Sequence, residues 1–324
     1  MLSAKVLVIG GAGYIGSHVV RALLAEGCAV TVYDNMSTGQ QDNLFANAAF
    51  VKGDILDETS LNTVMARGFD AVVHLAAKKA VGESMENPQL YAKNNINGSI
   101  NIFNAMVNNG VKNAVFSSTA AVYGTPQYLP LDENHPLNPL SFYGFTKIEI
   151  ERVMDWYARL KDFHYIVLRY FNAVGYAADG SIRGKEINSQ NLLPIVMDTI
   201  CGRREKMKVY GNDYDTPDGT CLRDYVHVED LARAHVAAIK KLLNEPQSHI
   251  INLSTGKGTS VLEMIAAVER VSGRKVPYEF APRRAGDPAV VVANNDLAQK
   301  VLNWTPQYTN IDEIVKTVWN LEDK

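Results

Sequence analysis

Tyr143 and Lys147 stand four residues apart in the segment SFYGFTKIEIERV. On a helix that spacing puts both side chains on one face. A tyrosine phenol has an ordinary pKa near 10, so acting as a base near pH 7 requires a depression of roughly 3 units, about 4 kcal/mol. A cation about 4 Å away, at an effective dielectric near 20, supplies roughly that much, and the Lys147 ammonium is one such charge. Taken alone, Tyr-x-x-x-Lys is common, and a surface tyrosine beside a solvated lysine is the plainer reading. What favours chemistry is the company this pair keeps: an apolar run upstream ends in Ser117-Ser118-Thr119, and the chain opens on a nucleotide-binding pattern.

That pattern is KVLVIGGAGYIGSHVVRALLAEGCAVTVYD, residues 5–34. Lys5 to Ile9 reads as a buried strand, Gly10, Gly13 and Gly16 as a tight turn, and the stretch through Val19, Val20, Leu23 and Leu24 as a helix. Ala29 to Tyr33 is a second strand, ending on Asp34. Glycines in this order let a backbone approach a pyrophosphate, and the helix N-terminus offers N–H groups and positive dipole to the anion. A carboxylate about 20 residues beyond the glycines can accept hydrogen bonds from an adenosine ribose. An oxidised nicotinamide would bring a second positive charge to Tyr143.

The elements needed to hold these groups are visible along the chain. Short apolar runs at Phe50–Lys52, Ala71–Leu75, Ala114–Ser117 and Tyr165–Leu168 alternate with amphipathic stretches at Leu90–Asn109 and Tyr143–Leu160. That rhythm predicts an α/β fold with a doubly wound, Rossmann-type parallel sheet. Beyond Gly175 it loosens. Residues 176–190 and 211–222 read as loops, and helices resume at Leu192–Cys201, Val228–Leu243, Val261–Val271 and Ile311–Leu321. The expected organisation is a dinucleotide domain over 1–175 and a smaller, mixed α/β substrate region over 176–324. Part of 223–255 is expected to pack back onto the first.

The 324 residues are 47% hydrophobic and 21% charged, with a formal net charge of −3. The lack of a basic tract argues against a nucleic-acid partner. Cys28, Cys201 and Cys221 show neither metal-ligand spacing nor a disulfide framework, and no metal is expected. No signal peptide or membrane span is read, so a cytoplasmic location is expected. His74 reads as a packed histidine at a strand end, and His227 and His235 offer no metal geometry.

The chain resembles the extended short-chain dehydrogenase/reductases and, among them, the UDP-glucose 4-epimerase family. The resemblance rests on GGAGYIGSH (10–18), DN (34–35), GDI (53–55), KAVGES (79–84), NNING (94–98), VYG (122–124) and YGFTK (143–147). It continues through RYFNAVG (169–175), RDYVHVEDLA (223–232) and RRAGD (283–287), and so spans nearly the whole chain. It implies a redox-neutral, NAD-dependent epimerisation at C4 of UDP-hexoses in galactose metabolism. Tyr143 would take the proton of the sugar 4-hydroxyl while hydride passes to NAD. Lys147 would lower the Tyr143 pKa and bind the nicotinamide ribose, and Thr119 would hydrogen-bond at the 4-oxygen.

The resemblance also assigns binding residues. Cofactor contacts would come from Gly10, Gly13, Tyr14, Ile15, Gly16, Asp34, Asn35, Ser37, Thr38, Gly39, Asp54 and Ile55. Leu75, Ala76, Ala77, Lys79, Asn94, Thr119, Tyr143, Lys147 and Phe171 complete that set. The Asp34 charge favours NAD over NADP, whose 2′-phosphate it would repel. The nucleotide-sugar would meet Thr119, Tyr143, Asn172, Asn191, Leu192, Lys208, Val209, Tyr210, Arg223, Tyr225, Arg284, Asp287 and Val291. Two arginines suit a dianionic pyrophosphate, although Arg223 could equally pair with Asp224 or a nearby Glu, and Arg284 could be a solvated loop charge. Val291 aligns with a position where relatives carry either tyrosine or a small residue, which implies room for an N-acetylated sugar. A homodimer through the helices near 90–109 and 143–160 is also implied.

Alternatives separate on single features. Sugar-nucleotide dehydratases place an Asp-Glu pair just after the catalytic hydroxyl, where this chain has Ala120-Ala121. Enzymes acting on UDP-glucuronate need a further group for the sugar carboxylate, and that reading stays open. A dinucleotide-sensing binding protein would have no use for Thr119, Tyr143 and Lys147 together.

Overall fold

Val6 and Val8 of the first strand bury into one hydrophobic cluster, Leu7 and Ile9 into another. With a side-chain period of two, that is the mark of a strand covered on both faces. In a computed structural model, which describes residues 2–186, 189–284 and 286–322, this strand lies in the middle of the main sheet. The elements run β1 (Lys5–Ile9), α1 (Tyr14–Ala25), β2 (Ala29–Asp34), β3 (Ala49–Lys52), α2 (Glu58–Met65) and β4 (Ala71–His74). Next come α3 (Val81–Glu86), α4 (Pro88–Tyr91), α5 (Gly98–Asn108), β5 (Asn113–Thr119), α6 (Phe142–Lys161), β6 (His164–Tyr170) and β7 (Asn172–Val174). The chain continues with α7 (Leu192–Ile200), β8 (Met207–Tyr210), β9 (Leu222–His227), α8 (Val228–Asn244), β10 (His249–Leu253) and β11 (Gly258–Ser260). It ends with α9 (Val261–Ser272), β12 (Tyr278–Ala281), β13 (Val290–Val291), α10 (Asp296–Leu302) and α11 (Ile311–Glu322).

Seven strands form the main sheet in the order β10–β6–β5–β4–β1–β2–β3, every neighbouring pair parallel. The chain builds outward from β1 through β2 and β3, then starts again on the other side with β4. The switch point therefore falls between β1 and β4, and ligands of such sheets bind outside the strand ends there. β10, from the C-terminal half, supplies the last strand beside β6, and α8 packs on α1. A separate core of Leu193, Val196, Met197, Met264, Val268, Ile314 and Val315 holds the C-terminal region together. It is built around β9, which pairs with β7, β11 and β13, and the β8–β12 pair.

The stretch predicted as one helix over 90–109 is interrupted by a π-helical turn at Ala92–Asn97. This wide turn brings Asn95 inward, where its side chain accepts from the Lys78 N–H and donates to the Lys78 carbonyl, both at 2.9 Å, and reaches Thr146 Oγ1 at 3.2 Å. Hydrophobic periodicity gives no sign of such a turn, because the reason for it lies across the fold. In the expected loop 176–190, residues 187 and 188 lie outside the described residues, as does Ala285 of the 283–287 segment.

Candidate active site

Three consecutive residues at the carboxyl end of β5 face the buried side of α6. Ser141 starts that helix by accepting a hydrogen bond from the Gly144 N–H at 3.2 Å, the preferred cap chemistry. The Tyr143 N–H donates to Ser84 Oγ of α3 at 3.1 Å, which pins the first turn from a second side. Thr119 Oγ1 accepts from the Ala121 N–H at 3.2 Å and is hydrogen-bonded to the Tyr143 phenol. Lys147, 2% exposed, donates from Nζ to the Ser117 carbonyl at 2.7 Å. The same Nζ lies 4.6 Å from the Phe116 ring centroid and 5.9 Å from that of Tyr143.

Burial adds to the expected electrostatics. Burial pushes the Tyr143 phenol up to about 12, against the pull of the Thr119 hydrogen bond. Burial likewise pushes Lys147 down to about 7, with Glu151 opposing. The Ser117 carbonyl anchors the amine at 2.7 Å beside the Tyr143 ring. At 5.9 Å a unit charge is worth about 3 kcal/mol at a dielectric near 20. Burial thus works against the ionisation that base chemistry needs, and the Lys147 charge works for it. A second positive charge beside the phenol would lower it further.

The turn between β1 and α1 is shaped for a ligand that carries one. Gly10 has φ +85°, and a Cβ there would meet the Ala76 N at 2.7 Å; a Cβ on Gly16 would meet the Gly10 carbonyl at 2.1 Å. The cradle thus keeps side chains out, and α1 opens on Gly13 with no side-chain cap and no acid in its first turn. Asp34 ends β2, buried, its two oxygens accepting from the Ala12 N–H at 3.0 Å and the Met36 N–H at 2.8 Å. Each oxygen keeps a lone pair for a ribose hydroxyl. These features fit a dinucleotide.

Other predicted cofactor residues fall around the same strand ends. Asn35 donates to Asp54 at 2.9 Å and accepts from the Ser37 N–H at 2.9 Å, with Thr38 and Gly39 completing that loop. Ile55 follows β3, Leu75–Ala77 follow β4 and Phe171 follows β6. Asn94, in the π turn, donates to Asn95 at 3.0 Å. Two side chains are engaged elsewhere. The Tyr14 phenol donates to the Gly175 carbonyl at 2.6 Å, and Lys79 is ion-paired with Glu186.

Of the predicted sugar-nucleotide residues, four converge. Arg223 is ion-paired with Asp287, not with Asp224, and the Arg284 guanidinium lies 4.0 Å from the Tyr210 ring centroid. Val291 pairs in register with Arg223 and is half-buried. Asn172 donates to the Asp224 carbonyl at 3.0 Å, while Asn191 and Leu192 begin α7 and Lys208 is exposed on β8. Val209 and Tyr225 are instead buried in the C-terminal core. Ser84, Asn95 and Glu151 are site-supporting residues without a signal in spacing, apart from the position of Glu151 four residues past Lys147. Among the described residues no His, Cys, Asp or Glu cluster could hold a metal.

A parallel sheet with a glycine cradle at its switch point, and a Thr–Tyr–Lys group beside it, defines a dinucleotide-dependent α/β enzyme of the short-chain dehydrogenase type. Residues 6–254 match the NAD dependent epimerase/dehydratase family, and the chain belongs to it. A UDP-glucose 4-epimerase of Halalkalibacterium halodurans is 43% identical over 97% of this chain and 94% of its own. The UDP-glucose 4-epimerase of Brucella ovis, solved with NAD, superposes with a TM-score of 0.95 at 43% identity, covering 97% of both chains. The UDP-Glc/GlcNAc 4-epimerase of Campylobacter jejuni superposes with a TM-score of 0.88 at 37% identity, covering 99% of each.

Proposed function

We propose that this protein interconverts UDP-galactose and UDP-glucose by epimerisation at C4, with NAD retained through the cycle. The observation that carries the proposal is the Thr119–Tyr143–Lys147 group held at the strand ends beside a bare glycine cradle. Bound NAD, held by the glycine turn and Asp34, would supply a reversible hydride acceptor for the sugar C4. Tyr143 takes the 4-hydroxyl proton and gives it back, while Thr119 hydrogen-bonds the 4-oxygen and the phenol. Lys147 adds positive charge and a donor on the nicotinamide-ribose side. Asp34, Asn35 and Asp54 hold the adenosine end, and Gly10, Gly13 and Gly16 give the pyrophosphate an open backbone. Arg223 and Arg284 hold the UDP pyrophosphate by charge-assisted hydrogen bonds, with Tyr210, Asn172 and Asp287 around them.

The half-buried valine at 291 supports acceptance of UDP-N-acetylhexoses as a second substrate pair, since a small side chain leaves room beside C2. We read residues 1–175 as the cofactor part and 176–324 as the sugar-nucleotide part, interleaved through α8 and β10. Exposed Trp156 and Leu160 on α6 support a homodimer through the α5–α6 face. Three free cysteines support a reducing, cytoplasmic setting. Among the described residues no helix is long and apolar enough to cross a membrane.

The test is incubation of purified protein with UDP-galactose and no added coenzyme, with sugar-nucleotides separated by chromatography and released nucleotide identified by mass spectrometry. UDP-glucose should form, and NAD should be released from denatured protein at near one equivalent. Coenzyme consumption in proportion to product would sink the proposal. Tyr143→Phe should fold and keep its NAD, yet lose activity by about 10²–10⁴-fold or more.

A further inference from the structure

The stripe on α6 that carries Tyr143 and Lys147 has a third member, Glu151, and all three are met by adjacent residues of one strand. Thr119 bonds Tyr143, the Ser117 carbonyl accepts from Lys147, and Ser118 Oγ donates to Glu151 at 2.5 Å. Helical positions i, i+4 and i+8 are thus registered against three neighbouring positions of β5. Glu151 is 4% exposed and Arg169, on β6, is 2% exposed. Arg169 clasps the carboxylate with Nε at 3.1 Å and a second nitrogen at 2.5 Å, the bidentate fork that fixes geometry as well as charge. Its remaining nitrogen donates to the Tyr123 hydroxyl at 3.1 Å, and that hydroxyl donates to Asn252 at 2.6 Å. A helix that needed only to cover the sheet would carry an apolar side chain here, because a buried ion pair is weak as a source of stability.

We propose that Glu151 is a positioning residue: clamped by Ser118 and Arg169, it sets the register of α6 on β5 that puts Lys147 and Tyr143 in place, and it presents a carboxylate to the Lys147 ammonium. This rests on the catalytic reading of Tyr143 and Lys147. The charged and titratable groups around Lys147 are Glu151 on the same helix, Tyr143 and, from β4, His74. Those around Tyr143 are Tyr91 and Tyr170, and Glu151 also faces Tyr165 and Arg169. Glu151 is the only carboxylate among these neighbours of Lys147. Without it the ammonium gives up its proton at lower pH, and the Tyr143 phenolate, having lost that cation, forms only at higher pH.

Removing the carboxylate alone strands a buried guanidinium, so the informative variant is Glu151→Met/Arg169→Met, alongside Glu151→Gln. Measurements are kcat and KM for UDP-galactose from pH 6 to 9.5, normalised to bound NAD, and ionisation of Tyr143 by ultraviolet difference absorbance against the same protein carrying Tyr143→Phe. The double variant should keep cooperative thermal unfolding and a KM within about twofold of the parent. Its kcat should fall about tenfold at pH 7, and both the acid limb and the phenolate transition should move up by about one pH unit, the tenfold converted. A loss of thermal stability with both transitions unmoved, in either variant, overturns the proposal and leaves the catalytic reading intact. Near-normal activity of Tyr143→Phe itself would overturn the catalytic reading instead.

Discussion

Lys147→Met isolates the charge that the site places near Tyr143. Methionine keeps the unbranched stem in its buried channel, and the substitution removes the ammonium and its hydrogen bond to the Ser117 carbonyl. Over the 5.9 Å to the Tyr143 ring, the lost attraction is about 3 kcal/mol at a dielectric near 20, or roughly a hundredfold in phenolate population. The effect must depend on pH in a defined sense. In the parent, burial lets Lys147 lose its proton near pH 7, so with rising pH the parent comes to resemble the variant. The activity ratio is therefore expected near a hundredfold at pH 6 and should narrow steadily toward pH 9. The assay is initial-rate conversion of UDP-galactose, followed by separation of UDP-glucose, with retained NAD quantified so that a binding loss is not scored as a chemical one. A ratio under about fivefold at pH 6 with NAD retained, or one that widens with pH, would refute the electrostatic role.

Two further outcomes are expected. Burial holds His18 and His235 down to about 4, and His74 and His227 down to about 3, so the unfolded chain takes up protons below pH 6.5 that the folded chain refuses. Each such histidine costs about 2 kcal/mol between pH 7 and pH 5. Asp224, pushed up to about 6 by burial, binds its proton in the folded state first and offsets about 1 kcal/mol. The urea midpoint should thus fall steeply between pH 7 and pH 5, and a flat or rising midpoint contradicts the assignment. Val291→Tyr should suppress turnover of UDP-N-acetylglucosamine and UDP-N-acetylgalactosamine while sparing UDP-galactose; equal loss on both pairs removes Val291 as the gate.

Much of this molecule was legible in its residues alone. Strand-length apolar runs, the glycine spacing and the terminal Asp34 imply a parallel sheet with a nucleotide at its switch point, because tight backbone approach and a period-two pattern are local demands. The four-residue spacing of Tyr143 and Lys147 likewise declares a shared helix face. Local pattern said nothing of the π turn that brings Asn95 to Lys78, of the Arg223–Asp287 pair, or of which part of 223–255 returns to the main sheet as a strand, β10 beside β6. It also left out the burial that raises the Tyr143 phenol, since spacing reports which side chains can meet and not how far water is excluded from them. That exclusion, and the choice of the Ser117 carbonyl as the lysine's partner, exist only once β5, α6 and β6 are packed together.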